Sequence, residues 1–259
     1  MGGLAPCACA EALRIDECRQ GADTCAVIVA GGSGERFGDP RGKQFVELAG
    51  LPLVGWSILA FDAAPSVSSI VVVCARDRFG TMRDEVLARL ELQKPVTLAA
   101  GGATRQGSVF NGLMATPEEL PLVAIHDGAR PLIQVDSIEK CLATVRQRSE
   151  VDGAICAARV TDTLKVADEQ GAIVATPDRS VYWSAQTPQA FRRDVIMRAH
   201  EAALLEGYEG TDDASLVEWR GGLVCVVETP RDNIKVTVPE DLGIAEATLV
   251  SNPGEYPFD

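Results

Sequence analysis

The segment AGGSGERFGDPRGKQF, residues 30–45, sets Gly31, Gly32 and Gly34 directly after an apolar run and brings two cations, Arg36 and Lys43, close behind them. Glycines let backbone N–H groups approach phosphate oxygens, and nearby cations offset the charge that builds up in phosphoryl or nucleotidyl transfer. Two familiar phosphate loops fit badly. A G-x-x-x-x-G-K-[ST] loop needs glycine where Phe37 stands and Ser or Thr where Gln44 stands. The dinucleotide fingerprint G-x-G-x-x-G matches Gly32 and Gly34 but also fails at Phe37. The second apolar run ends in Cys74, Ala75 and Arg76, without the acidic residue that would hold a ribose. What remains predicts a triphosphate site of another kind, although a tight strand-to-helix turn with solvated cations would use the same residues.

A carboxylate comes next. Asp127 closes the apolar run PLVAIHD, residues 121–127, where a carboxylate would face a ligand cleft. A hard oxygen donor there suits magnesium, which keeps several waters and binds through one or two carboxylates plus substrate phosphates. An Asp before a short polar turn also serves as a helix N-cap. His126 lacks the partners of a catalytic triad and reads as structural. Eight cysteines and two histidines make poor material for zinc, since no pair has C-x-x-C spacing; the cysteines read as reduced thiols acting as small hydrophobes.

Positioning these groups requires a scaffold, and the apolar pattern describes one. Short continuous runs recur at residues 25–30, 69–75, 95–100, 121–127 and 153–158, as expected of strands buried on both faces of a parallel sheet. Between them, residues 53–63, 78–90, 104–115 and 137–148 have helical spacing, and Met82, Val86, Leu87 and Leu90 share one face. The alternation predicts an α/β fold: a doubly wound, mainly parallel Rossmann-like sheet whose ligands sit at the carboxyl ends of its strands. It breaks at residues 159–185, where VTDTLKVA and AIVAT flank a polar turn and predict a projecting β-hairpin arm. An arm with so little core is expected to pack on another subunit, giving a homodimer. Helices return at 192–206 and 213–220, then a strand at 223–228 and a last helix at 239–249. Residues 1–24 read as a flexible or weakly helical leader, 25–250 as a single domain carrying the arm, and 251–259 as a tail.

Bulk composition narrows the partners. With 259 residues, 46% of them hydrophobic, the chain can bury a substantial core. A net charge of −13 argues against a broad nucleic-acid or anionic-membrane surface, so any anion site is a local pocket. No apolar run is long enough to span a bilayer, and Glu11, Arg14, Asp16 and Glu17 interrupt the uncharged core that a signal peptide needs. The chain therefore reads as cytoplasmic.

AGGSGERFG…GKQF resembles the glycine-loop signature of nucleotidyltransferases that couple a nucleoside triphosphate to a sugar phosphate, and specifically of the 2-C-methyl-D-erythritol 4-phosphate cytidylyltransferase family. AGGATRQGSVFNGL (100–113), HDGARP (126–131), TDTLK (161–165), QTPQAF (186–191), TDDASLVE (211–218) and DNIKVTVPEDL (232–242) resemble that family's motifs in the same order, covering about residues 25–249. The resemblance implies CTP and a sugar-alcohol phosphate as substrates, pyrophosphate as product, magnesium or another hard divalent cation as cofactor, and a place in non-mevalonate isoprenoid precursor synthesis. It implies Arg36, Lys43 and Lys235 as the cations on the reacting phosphates and Asp127 as the metal residue, with Arg130 holding the loop through a salt bridge. Gly31, Gly32, Gly102, Ala103 and Ser108 match positions that contact base and ribose, and Gly34 counts with them as nucleotide-binding. Many members carry an acidic residue where Ala103 stands, a departure that bears on base selectivity if that contact uses the side chain. Arg105 either supports the base loop or is a helix-start surface arginine. Thr187 and Thr211 match positions lining the acceptor pocket, while Thr163 and Arg179, on the arm, would serve the neighbouring subunit's site.

Two rivals stand beside this reading. Ribitol 5-phosphate cytidylyltransferases share the glycine loop and the Lys-Gln pair but match TDDASLVE and TDTLK less well. A catalytically silent nucleotide-binding module is harder to square with Arg36, Lys43, Asp127 and Lys235 all being present.

Overall fold

The computed structural model describes residues 11–13, 22–32, 37, 42–252, 254 and 256. Its strands are β1 (Glu11–Leu13), β2 (Thr24–Val29), β3 (Glu47–Leu48), β4 (Leu51–Pro52), β5 (Val67–Cys74), β6 (Val96–Ala100), β7 (Leu122–Asp127), β8 (Gly153–Arg159), β9 (Val166–Ala167), β10 (Ile173–Ala175), β11 (Trp183–Arg192) and β12 (Val224–Glu228). The helices are α1 (Leu53–Ala63), α2 (Phe79–Thr81), α3 (Arg105–Met114), α4 (Val135–Gln147), α5 (Arg193–Glu206), α6 (Asp213–Trp219) and α7 (Glu240–Ser251).

Eight strands form one sheet in the order β1-β6-β5-β2-β7-β11-β8-β12. The neighbours β6, β5, β2 and β7 run parallel, as do β8 and β12, whereas β11 lies antiparallel to both β7 and β8. The expected doubly wound, mainly parallel architecture is therefore present. Continuous apolar strands supply both faces at once. Ala26, Ile28 and Val72 pack beneath α1 and α4 with Ile58, Phe61, Ile138 and Leu142. Cys25, Val27 and Val71 pack on the other face with Val109 and Leu113 of α3, Ile196 of α5 and Leu216 of α6. A smaller cluster seats α7 and Val236 against Leu48, Leu53 and Trp56, which anchors the loop carrying Lys235.

Several elements differ from the pattern's expectation. The strand β11 is not legible as one, because the polar QTPQ and an internal proline break the apolar run; its register with β8 shifts between Ala185 and Gln189, at that proline. The helix expected at 78–90 is instead a sequence of short turns that includes a π-helical one at Met82–Val86, yet Met82, Val86, Leu87 and Leu90 are buried as the spacing predicts. In the stretch read as a flexible or weakly helical leader, β1 pairs antiparallel with Val96, Thr97 and Leu98 at the sheet edge. The first core strand starts at Thr24, where backbone pairing with β5 and β7 begins. The arm contains the hairpin β9–β10, a separate two-stranded sheet with exposed residues throughout.

Close packing fixes α3 over the sheet. A Cβ on Gly112 would stand 2.6 Å from Val27 Cγ1 and 2.7 Å from Val73 Cγ2, so the helix rests directly on β2 and β5. Gly112→Ala is expected to destabilise the fold by about 1–3 kcal/mol through overpacking. Thermal or denaturant unfolding measures it, and an unchanged midpoint would show that α3 can lift without cost.

Candidate active site

The parallel strands β2, β5, β6 and β7 all end at one edge of the sheet, and two cavities open there. The first, about 420 Å³, is lined by Gly31, Gly32, Lys43, Gly102, Ala103, Arg105, Ser108, Asp127 and Lys235, among others. The second, about 290 Å³, is lined by Arg130, Gln186, Thr187, Gln189, Thr211 and Asp212 and shares Arg105, Asp127 and Lys235 with the first. The cleft thus has two lobes with one common wall. Residues matched to the nucleotide lie in the first lobe, and Thr187 and Thr211 in the second.

Ion pairs build the wall. Asp127 Oδ1 lies 3.2 Å from Arg105 Nε, and Asp127 Oδ2 accepts a 2.7 Å hydrogen bond from Lys235 Nζ. Burial alone would raise the Asp127 carboxyl, but Arg105 and then Lys235 outweigh it and hold it well below the ordinary carboxylate range. Arg105 is similarly placed: burial disfavours its charge, while Asp213 at 2.9 Å and Asp127 hold its pKa above the ordinary value. The sequence left this residue open between a base-loop support and a surface arginine. It lines both lobes and contacts two carboxylates.

Neutral groups fix the end of β7. The Thr187 hydroxyl accepts from the Asp127 N–H at 3.0 Å and lies 3.0 Å from His126 Nδ1, and His126 Nε2 lies 3.2 Å from the Arg130 carbonyl. One tautomer satisfies all three contacts, with the proton on Nε2 and Nδ1 accepting from Thr187. Burial lowers the His126 pKa to about 4, so the ring is neutral near pH 7. Thr187 therefore directs its one O–H donor at His126 rather than into the second lobe. Ser108 behaves alike in the first lobe: its hydroxyl accepts from the Gly102 N–H at 3.0 Å and donates to the Thr104 carbonyl at 2.9 Å. A Cβ on Gly102 would stand 2.7 Å from the carbonyl carbon of Gly107, so only glycine lets this loop lie against the first turn of α3.

The remaining expected residues fall as follows. Lys43 Nζ donates to the Val236 carbonyl at 2.9 Å, which ties the glycine-loop side of the cleft to the segment carrying Lys235. Arg130 makes no ion pair among the described residues. Where a salt bridge was expected, it donates to the Asn233 carbonyl at 2.8 Å, because both Asp127 oxygens are occupied by Arg105 and Lys235. Its Nε is buried without a hydrogen-bond partner at the second lobe. Thr163 and Arg179 line neither lobe of their own chain, and Arg179 donates to the Thr161 carbonyl within the arm. Arg36 and Gly34 lie outside the described residues. Asp213, absent from the sequence-level candidates, was signalled only by its place in TDDASLVE.

An open, mainly parallel sheet whose glycine loop, cations and carboxylate share one cleft is the arrangement of an α/β nucleotidyltransferase. The family model of 2-C-methyl-D-erythritol 4-phosphate cytidylyltransferase (IspD) matches residues 24–251. The chain is 44% identical to the cytidylyltransferase of that name from Syntrophotalea carbinolica over 231 residues, 89% of this chain and 97% of the relative. It is 45% identical to that from Geobacillus kaustophilus, over 89% of this chain and 98% of the relative. Among solved structures, the 4-diphosphocytidyl-2C-methyl-D-erythritol synthase of Anaerococcus prevotii superposes with a TM-score of 0.78 at 28% identity, covering 89% of this chain and 97% of the other. The chain belongs to the 2-C-methyl-D-erythritol 4-phosphate cytidylyltransferase family.

The His126 environment predicts a pH dependence for the ligand-free protein. A histidine held near 4 when folded and titrating at about 6.5 when unfolded stabilises the fold fully above the unfolded value. That contribution is lost as pH falls through the interval and amounts to something on the order of 3 kcal/mol. Asp127 adds its loss only as pH falls below its ordinary value of 3.8. Melting midpoints between pH 7 and pH 4 should fall more steeply for the parent than for His126→Asn; equal slopes would remove His126 as the source.

Proposed function

We propose that the chain transfers a cytidylyl group from CTP to 2-C-methyl-D-erythritol 4-phosphate, forming 4-diphosphocytidyl-2-C-methyl-D-erythritol and pyrophosphate in cytoplasmic isoprenoid precursor synthesis. The observation that carries this reading, beside family membership, is the wall of Arg105, Asp127 and Lys235 shared by two lobes. Two polyanions that must react need adjacent pockets meeting at one cationic boundary.

In this reading the nucleotide occupies the lobe of Gly31, Gly32, Gly102, Ala103 and Ser108, and its triphosphate runs toward Lys43 and Lys235. The base is read chiefly by backbone groups, because the Ser108 hydroxyl is used inward and Ala103 has no side-chain donor. An acceptor phosphate oxygen in the second lobe attacks the α-phosphorus. The new P–O bond forms as the bond to the bridging oxygen breaks, and pyrophosphate leaves with the electron pair. The acceptor phosphate is already an anion at neutral pH, so no side chain has to remove a proton. Lys43, Lys235 and Arg36 hold the two anions together and neutralise the charge that gathers at phosphorus.

Among the described residues no three His, Cys, Asp or Glu side chains group to bind a metal by themselves. A divalent cation would take Asp127 and the triphosphate's own oxygens, a donor set that magnesium accepts. When bound it would offset the negative charge of the phosphates. The arm of a second copy would supply Thr163 and Arg179 to the acceptor. Support for this comes from Ile173, Val174 and Val181, each more than 60% exposed on an arm without a core of its own.

Pyrophosphate release measured with CTP and each acceptor in turn tests the activity, and turnover with methylerythritol phosphate well above ribitol 5-phosphate is expected. Turnover with ribitol 5-phosphate alone would reverse the acceptor assignment. Lys43→Ala should lower kcat by at least about 10²-fold, the scale of removing one preorganised transition-state donor. An equally fast variant would end the catalytic role of Lys43. Sedimentation should give a dimer; a fully active monomer would exclude action of the arm in trans.

A further inference from the structure

Asp213 has no role in the transfer as derived, yet it is the more deeply buried of the two carboxylates that hold Arg105. Its side chain is 1% exposed, against 11% for Asp127 and 32% for Arg105. One oxygen lies 2.9 Å from Arg105 Nη1, and the other faces His200 Nε2 at 3.3 Å in an equally buried position. Its backbone is fixed with the same thoroughness. Asp212 caps α6 in a reciprocal capping box with Ser215, and the next N–H, that of Ala214, donates to Gln189 Oε1 of β11 at 3.0 Å. A neighbouring clamp joins the same loop to α3, where Gln106 accepts from the Gly210 N–H and donates to the Tyr208 carbonyl.

A guanidinium is a rigid planar group, so a carboxylate beside each of two of its nitrogens, hydrogen-bonded at Asp127 and ion-paired at Asp213, fixes its location. Of those two carboxylates, Asp127 stands on the wall that phosphates must approach, where an incoming anion competes for Arg105 and Lys235. Asp213 stands behind the wall, out of reach of ligand and water. We propose that Asp213 is a positioning residue for cytidylyl transfer, holding Arg105 in place so that Asp127 and the boundary between the lobes keep their geometry when the triphosphate arrives. The inference rests on the transfer reading above. Asp213 touches neither substrate; its effect passes through Arg105 alone.

The test is a double-mutant cycle in the full-length protein with CTP and methylerythritol phosphate, each variant assayed well below its own melting midpoint. Asp213→Asn keeps the side-chain shape and removes the charge; kcat is expected to fall about 10–100-fold, the scale of a misaligned near-attack geometry. KM for CTP should change less than about threefold, because binding common to ground and transition states is retained. Arg105→Gln should lower kcat as well, and adding Asp213→Asn to it should cost nothing further, since coupled residues are not additive. Parent-like kcat in Asp213→Asn, or losses that multiply in the double variant, would overturn the proposal. If Asp213→Asn does not yield folded protein, Arg105→Lys decides the matter: an ammonium cannot span two carboxylates, so the same kcat loss at near-constant KM is expected, and an unchanged kcat refutes it. A parent enzyme that releases no pyrophosphate from CTP would instead refute the transfer reading, which separates the two failures.

Discussion

A carboxylate at the rim of a central strand, shared between two cations from distant parts of the chain, is the constraint around which the cleft is arranged. Asp127 ends β7, a strand buried along its whole length between β2 and β11. Its charge is tolerable there because Arg105 arrives from the start of α3 and Lys235 from the loop after the edge strand β12. A buried ion pair is weak evidence of added stability, since desolvation offsets much of the attraction, but removing one partner leaves an uncompensated charge. Its value here is geometric. Three segments that are far apart in sequence are obliged to meet at one point, and the lobes on either side follow from that meeting.

The division of labour among polar groups follows from the same crowding. Hydroxyls that sequence alone would assign to ligands, Ser108 and Thr187, are used inside the protein: their oxygens accept from the Gly102 and Asp127 backbone N–H groups, which need partners at these loop ends, and their O–H donors go to the Thr104 carbonyl and to His126. The lining of the first lobe is left largely to glycine backbones and to cations. The absence of a carboxylate at Ala103 is then compatible with a base read by main-chain groups.

Much of this was legible in the sequence where a residue's role is local. Continuous apolar runs gave the parallel strands to within a residue or two, because burial on both faces leaves no polar alternation to confuse them, and α1 matches its expected span. The glycine loop and Asp127 were visible because phosphate sites need particular residue types at strand ends. What failed was long-range. The strand β11 hides behind QTPQ because its partners on both sides satisfy it regardless of propensity, and Arg105 stayed open between a base-loop support and a surface arginine because nothing near it in sequence reveals Asp127 or Asp213. The salt bridge that the resemblance implied for Arg130 failed similarly: the nearby carboxylate, Asp127, is held by Arg105 and Lys235, both remote in sequence.

The insertion of β11 also explains why the arm starts beside the cleft. Since β11 is antiparallel to both β7 and β8, the strands β7 and β8 run the same way, and β8 ends at the same edge of the sheet as Asp127. The link from β8 to β11 must leave from that edge and return to it. A crossover helix there would cover the sheet face; a hairpin instead extends outward, with β9 and β10 paired only to each other. The extension therefore starts beside the ligand edge, yet Thr163 and Arg179 line neither lobe of their own chain. The arm is thus rooted at the rim of the site, and Ile173, Val174 and Val181 are left exposed along it.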